Sequence, residues 1–413
     1  MVLTLPVAID LFAGAGGFGL GFEMAGFSIP LSVEIDVWAC DTLRYNRPNM
    51  NVVQHDICDI NTNDRIKEIC SIEPDIIIGG PPCQGFSIAG SAQKDPKDPR
   101  NSLFLNFAQW INCLRPKAFI MENVKGLLSR KNTEGEKVIN IIKKTFEEIG
   151  YFVEIWLLNS AEYGVPQIRE RVFIVGNTLG KTLGTPLKTH SLNLSNMKDF
   201  QLSSLENTGL FPSLSLWDAI SDLPSLNARE GKEEQSYISL PQNIYQNWIR
   251  NSSQVLYNHV AMEHSQRVVE RFKQIKWGES SSDVPKNYSA RRRSGNGELS
   301  MISYDQNNRR LHPYKPSHTI AASFYANFVH PFQDRNLTAR EGARIQSFPD
   351  KYRFLGKKTV VSHKLLHREE RFNEQFLCQY NQVGNAVPPI LAKAIALHLK
   401  EQLKLCPQAL EIL

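Results

Sequence analysis

The feature that most restricts the fold is a rhythm in the first half of the chain. Short apolar or β-branched runs at Val7 to Phe12, Leu31 to Ile35, Val52 to His55, Asp75 to Ile78 and Ala118 to Met121 alternate with longer stretches able to form helices. Those stretches include Phe18 to Ala25, Leu103 to Leu114 and Glu134 to Ile149. Strands joined by helix-length crossovers pair in parallel, and a parallel sheet must be covered on both faces. Tyr151 to Leu158 and Arg171 to Val175 follow, joined through a turn at Gly164 to Pro166, and suit an antiparallel pair closing the sheet. The expectation is an α/β fold with a doubly wound mixed sheet.

After Asn177 the chain becomes rich in Ser, Asn, Gln, Pro and Arg, with one clear helical piece at Glu263 to Ile275. This reads as a smaller, irregular second domain. Leu337 to Gln346 and Pro389 to Leu403 are helical again. The expected division is 1–177, then 178–333, with 334–413 returning to the first domain. A chain of 413 residues is long enough for two cores. Its longest apolar runs fall far short of the ~20 residues that span a bilayer. The apolar N-terminus lacks basic residues and is interrupted by Asp10, so it reads as a buried strand rather than a secretion signal. Seven cysteines without a C-x-x-C spacing argue against a disulfide framework and against a structural metal site, which places the chain in a reducing cytoplasm. Charge is more telling. Between Lys286 and His318 seven Lys or Arg face two acids, so this segment's +5 equals the net charge of the whole chain. That concentration points to contact with a polyanion.

"DLFAGAGGFGLGF" follows a predicted strand and opens a helix, where a nucleotide-like ligand sits in a doubly wound fold. Glu34, 20 residues after Gly14, stands where a ribose hydroxyl acceptor is expected, and Asp56 ends the third run. A dinucleotide site remains open on these features alone. The glycines do not keep a clean G-x-G-x-x-G frame, which favours a different adenosine ligand.

Cys83 follows the Asp75 to Ile78 run through Gly79, Gly80, Pro81 and Pro82, at the carboxyl edge of the sheet. A lone cysteine is ordinarily a small buried apolar residue. That suits Cys40, Cys58, Cys70, Cys113 and Cys378, but the turn formers around Cys83 do not. The next run ends in "FIMENV", bringing Glu122 and Asn123 to the same edge. "QIRER" then places Gln167, Arg169 and Arg171 on alternate positions ahead of the last strand.

Six blocks, "DLFAGAGGFGLGFEMAGF", "GGPPCQGFS", "ENV", "QIRERVFIVG", "LTAREGARIQSFPD" and "QVGNAVPP", occur in the order and spacing of the motifs of DNA (cytosine-5) methyltransferases, a family this chain resembles over residues 7–177 and 335–400. The resemblance implies a class I S-adenosylmethionine-dependent methyltransferase sheet with a target recognition domain in the unmatched middle. It implies S-adenosylmethionine as cofactor, lined by Phe12, Gly14, Gly16, Gly17, Glu34, Ile35, Asp56, Ile57, Pro82, Leu103, Asn385 and Val387. It makes Cys83 the nucleophile that adds to C6 of a flipped-out cytosine, with Glu122 bonding the ring and Arg169 and Arg171 holding its O2. Gln84, Ser87, Gln167, Arg291, Arg292, Arg293, Arg309 and Arg310 are the expected contacts to double-stranded DNA. The resemblance also implies a monomeric modification enzyme of the prokaryotic restriction-modification type, paired with an endonuclease and needing neither metal nor membrane. Other readings stay open at this stage. A tRNA cytosine-5 methyltransferase shares much of this arrangement, although its Cys-Phe-Thr is not found here, and a non-catalytic DNA-binding regulator would need neither Cys83 nor Glu122.

Overall fold

The structure is a computed structural model that describes residues 3–82, 103–132, 134–192, 209–290, 307–360, 366, 368–371, 376–405 and 408–409. The chain forms two compact units: residues 1–163, 170–188 and 387–413 make the first, and residues 164–169 and 189–386 the second. The return to the first unit comes at Val387, where the sequence reading placed it at 334, and the second unit is nearly as large as the first.

The first unit is built on seven strands: β1 Val7–Leu11, β2 Ser28–Glu34, β3 Asn51–Gln54, β4 Ile76–Gly79, β5 Ala118–Val124, β6 Phe152–Asn159 and β7 Glu170–Asn177. Their order is β3-β2-β1-β4-β5-β7-β6. The first five are parallel, and β7 runs antiparallel between β5 and β6. Order reverses between β1 and β4, which opens the ligand crevice at the carboxyl ends of these strands. This is the mixed sheet expected from the alternation.

Helices α1 Gly17–Met24, α2 Val37–Asn46, α3 Asn63–Ile69, α4 Leu103–Leu114 and α5 Val138–Glu148 connect the strands. Their sequences explain their placement. In α5, Val138, Ile139, Ile142 and Phe146 form the buried stripe of an amphipathic helix. The side chain of Asp36 caps α2 by accepting from Ala39 N at 2.9 Å. The core joins Ile9, Leu11 and Ile77 of the sheet to Phe107, Trp110 and Phe146 of the helices.

The second unit contains α6 Leu216–Ile220, α7 Ile244–Arg250, α8 Gln266–Lys273, α9 Ala339–Ile345 and α10 Gln379–Asn385, with a two-stranded antiparallel ribbon of β8 Gly231–Ser236 and β9 Val255–Val260. Every residue of α9 is buried, including Arg340, Glu341 and Arg344. A helix hydrophilic in sequence is thus a core element. A last helix, α11 Pro389–Gln402, belongs to the first unit and starts on the proline pair of "VPP".

Candidate active site

The glycine loop sits at the crevice of the first unit. Phe12, Gly14 and Gly16 all have positive φ, of 56°, 54° and 76°. The loop thereby keeps its backbone open to a ligand, and Phe12 holds a conformation that side chains rarely adopt. Gly16 N donates to Ala13 O at 2.8 Å, and Ala13 N to Val33 O at 3.1 Å, so the turn is anchored to β2. Glu34 ends β2, and its carboxylate accepts from Gly14 N at 2.6 Å and from Ile35 N and Asp36 N at 2.9 Å each. Burial pushes its pKa up, against the pull of those backbone donors. Ile35 beside it is 60% exposed, an apolar side chain left standing at a ligand crevice. Asp56 lies after β3 and accepts from Cys58 N at 2.9 Å, with Ile57 buried next to it. Leu103 opens α4 and packs on the core.

The sequence reading took Asp10 only as a break in the apolar N-terminus. It is buried at the end of β1, accepts from Gly19 N at 3.1 Å, and is pushed up to a pKa of about 7 by burial, with Arg47 opposing. Its signal was a carboxylate inside an apolar strand, directly before the glycine turn.

The chemistry of this set is informative. Two carboxylates, Glu34 and Asp10, back the loop, with none of the lysine that a phosphate-cradling turn carries. A nucleoside whose ribose hydroxyls meet Glu34 and whose tail is a cationic sulfonium suits that set. The residues therefore fit S-adenosylmethionine.

At the neighbouring strand ends, Glu122 and Arg171 form an ion pair. Arg171 Nε is 3.0 Å from Glu122 Oε1, with both side chains mostly covered. The register of β5 on β7 sets Val124 opposite Arg171. A Cβ at Gly80 would stand 3.4 Å from Glu122 Oε2. Asn123 Nδ2 donates to Pro81 O at 3.2 Å, tying "ENV" to the turn two residues before Cys83. Cys83, Gln84, Ser87, Arg291, Arg292 and Arg293 lie outside the described residues, and Pro82 is the last described residue before them, exposed.

Three expected contacts are placed otherwise. Arg169 is buried in the second unit, its Nη1 donating to Ile320 O at 2.7 Å and its Nη2 to Gly384 O and Ala386 O at 3.1 and 3.2 Å. Gln167 is also buried there, donating to Gln346 Oε1 at 2.8 Å and accepting from Ile320 N at 2.7 Å. Arg310 is wrapped by the carbonyls of Phe272, Ile275 and His330 and by Asp334. The sequence reading gave these three to substrate or DNA. Their donors instead satisfy carbonyls inside the unit, a use that alternation along a strand cannot reveal. Arg309, by contrast, is half-buried, with Nη1 on Gly278 O at 2.8 Å. Asn385 ends α10 exposed, and Val387 is buried in the first unit. Of the cysteines read as buried, Cys58 is exposed and Cys113 half-buried.

The profile described as C-5 cytosine-specific DNA methylase matches residues 7–401. A type II methyltransferase, M.DdeI of Desulfomicrobium norvegicum, is 46% identical over 388 residues, covering 94% of this chain and 87% of that protein. M1.HphI of Haemophilus parahaemolyticus, also a type II methyltransferase, is 36% identical over 94% of this chain and 85% of its own length. Among solved structures, a DNA modification methyltransferase encoded within a prophage of E. coli matches with a TM-score of 0.67 and 25% identity, covering 97% of this chain and 99% of that one. A match that spans the sheet, the glycine loop and both later motif blocks leaves one assignment: this chain belongs to the C-5 cytosine-specific DNA methylases, enzymes that use S-adenosylmethionine.

Proposed function

We propose that the enzyme methylates a cytosine flipped out of a specific duplex sequence, through a covalent bond between Cys83 and C6, and that it does so as a monomer whose product protects DNA from a partner endonuclease. The observation that supports this most is the Glu122–Arg171 pair, held at the strand ends beside the turn that leads to Cys83.

Cytosine C5 is a poor nucleophile while the ring is aromatic. Addition of the Cys83 thiolate forms the S–C6 bond and moves an electron pair toward C5. S-adenosylmethionine supplies, when bound, a methyl group made electrophilic by its sulfonium. Glu122 faces the ring nitrogen and exocyclic amine, and the Arg171 guanidinium orients it while balancing its charge. Once the methyl is on C5, loss of the C5 proton and departure of Cys83 restore the ring. Phe12, Gly14, Gly16, Gly17, Glu34, Ile35, Asp56, Ile57, Pro82, Leu103, Asn385 and Val387 are assigned to the cofactor. The DNA contacts fall to Gln84, Ser87, Arg291, Arg292, Arg293 and Arg309.

Transfer of labelled methyl into duplex DNA should disappear in Cys83→Ala, and activity surviving that change would remove Cys83 from the role. Duplex carrying 5-fluorocytosine at the target has no C5 proton to lose and should trap the protein covalently. Bisulfite sequencing of DNA from expressing cells names the site. Resistance of that DNA to an endonuclease of the same specificity tests protection, and sedimentation with DNA tests the monomer.

A further inference from the structure

The glycine loop is braced from behind by a side chain outside all six motif blocks. Arg47 follows α2 and is 8% exposed. Its Nη2 donates to Gly16 O at 2.7 Å, and its Nε is 3.0 Å from Glu23 Oε2 on α1. Gly16 O already accepts the first helical bond, from Leu20 N at 2.9 Å. Both lone pairs of that carbonyl are thus engaged, which fixes the Gly16–Gly17 peptide plane and the left-handed turn before it. Asp10 completes the brace by accepting from Gly19 N one turn into α1. The fit is close: a Cβ at Gly19 would stand 2.8 Å from Asp10 Oδ2 and 3.3 Å from Arg47 Nη1. Arg47 thus links three parts of one loop, namely the carbonyl that ends the turn, the first helix and the charge neighbourhood of β1.

We propose that Arg47 is a positioning residue for S-adenosylmethionine, its guanidinium holding the Gly16 carbonyl and Glu23 so that the turn from Phe12 to Gly16 keeps the shape that receives the cofactor. This rests on the assignment of that turn to the cofactor. Arg47 reaches the cofactor only through the backbone, and nothing in its contacts concerns the cytosine or the DNA. Its effect must therefore fall on one substrate and not the other.

That asymmetry is the test. S-adenosylmethionine binding is titrated calorimetrically, and KM for each substrate and kcat are measured, in the wild type, Arg47→Met, Arg47→Lys and Glu23→Gln. Arg47→Met should weaken cofactor binding and raise its KM at least tenfold, with KM for DNA unchanged and kcat at saturating cofactor within a few-fold. Arg47→Lys keeps a charge but cannot serve Gly16 O and Glu23 together, and should recover part of the loss. Glu23→Gln alters only the half-exposed partner and should weaken cofactor binding by a few-fold in a fully folded protein, which keeps the test decisive if Arg47→Met fails to fold. Cofactor binding equal to wild type in folded Arg47→Lys and Glu23→Gln would overturn the inference, as would a rise in KM for both substrates alike. A wild type that binds no S-adenosylmethionine would instead overturn the assignment of the loop.

Discussion

In the first unit the sheet is sealed by aliphatic and aromatic side chains, with Phe107, Phe119, Phe146 and Tyr151 packed edge to face around β5. In the second unit the centre is ionic. Arg344 donates from Nη2 to Asp350 Oδ2 at 2.6 Å and also engages Asp222, which pairs with Arg250 in turn. Arg335 grips Glu341 with two nitrogens, at 2.6 and 2.9 Å. Glu341 also closes a capping box with Thr338 at the head of α9. Burial works against the Arg344 charge, and the two aspartates more than reverse it, raising its pKa. Apolar packing tolerates small losses gradually, whereas a buried ion network fails when one member is removed, because its partner keeps a charge it cannot solvate.

That difference predicts where the molecule is brittle. Arg344→Ala should cost about 3–5 kcal/mol. Amide hydrogen exchange should localise the loss to residues 216–250 and 337–352, leaving β1 to β5 protected. Arg310→Met belongs with it, at about 3 kcal/mol, since it strands several buried carbonyls.

Acid should separate the units further. Burial pushes the pKa of His259 down to about 4 and that of His330 to about 3. Both bind a proton in the unfolded chain near pH 6.5 but not in the folded one, so their contribution is complete above 6.5 and is lost as pH falls toward 4. Glu341, held well below the usual carboxylate range by Arg335 despite its burial, acts in the same direction below 4.5. Asp10 has the opposite sign: its raised pKa adds stability that is full below 3.8 and lost as pH rises to about 7. With about 1.4 kcal/mol per pH unit of displacement, the exchange protection of the second unit, taken relative to the intrinsic rate at each pH, should fall between pH 7 and 5 by the equivalent of about 2–4 kcal/mol. The first unit should not follow, and an equal loss of protection in both would break the contrast. In the first unit, Gly176→Ala drives a methyl into the Phe119 ring and should cost about 1–3 kcal/mol, read as a loss of exchange protection in β5 and β7.

The same contrast explains what the sequence could tell. Apolar periodicity located β1 to β5 and the α5 stripe, because in that unit burial and hydrophobicity coincide. Glu34, Ile35 and Glu122 were legible as strand-end residues, since a parallel sheet sends every carboxyl end to one edge. That Gln167, Arg169 and Arg310 are buried was not legible, for the converse reason. The second unit buries many charged side chains among its apolar ones, and a buried arginine has the same letter as one facing DNA. The return to the first unit was read at 334 rather than at Val387 because α9 looks like surface helix until its partners are known. Arg47 carried no signal at all, since its target is a backbone carbonyl 31 residues earlier.

Arg309 and Arg310 put that ambiguity in adjacent positions. Arg310 spends its guanidinium on carbonyls and Asp334, while Arg309 donates to Gly278 O and keeps part of its surface in solvent. A cation that meets a DNA phosphate releases about one counterion on binding. Arg309→Gln should therefore lower the slope of log K against log salt by about 1 while leaving stability within about 0.5 kcal/mol. The loss of affinity should be the same for target and unrelated duplex, because a phosphate contact reads no base. If affinity falls for the target duplex alone, Arg309 touches a base edge. If the slope stays and stability drops, Arg309 is structural like its neighbour, and the polyanion contact must come from residues 291–293.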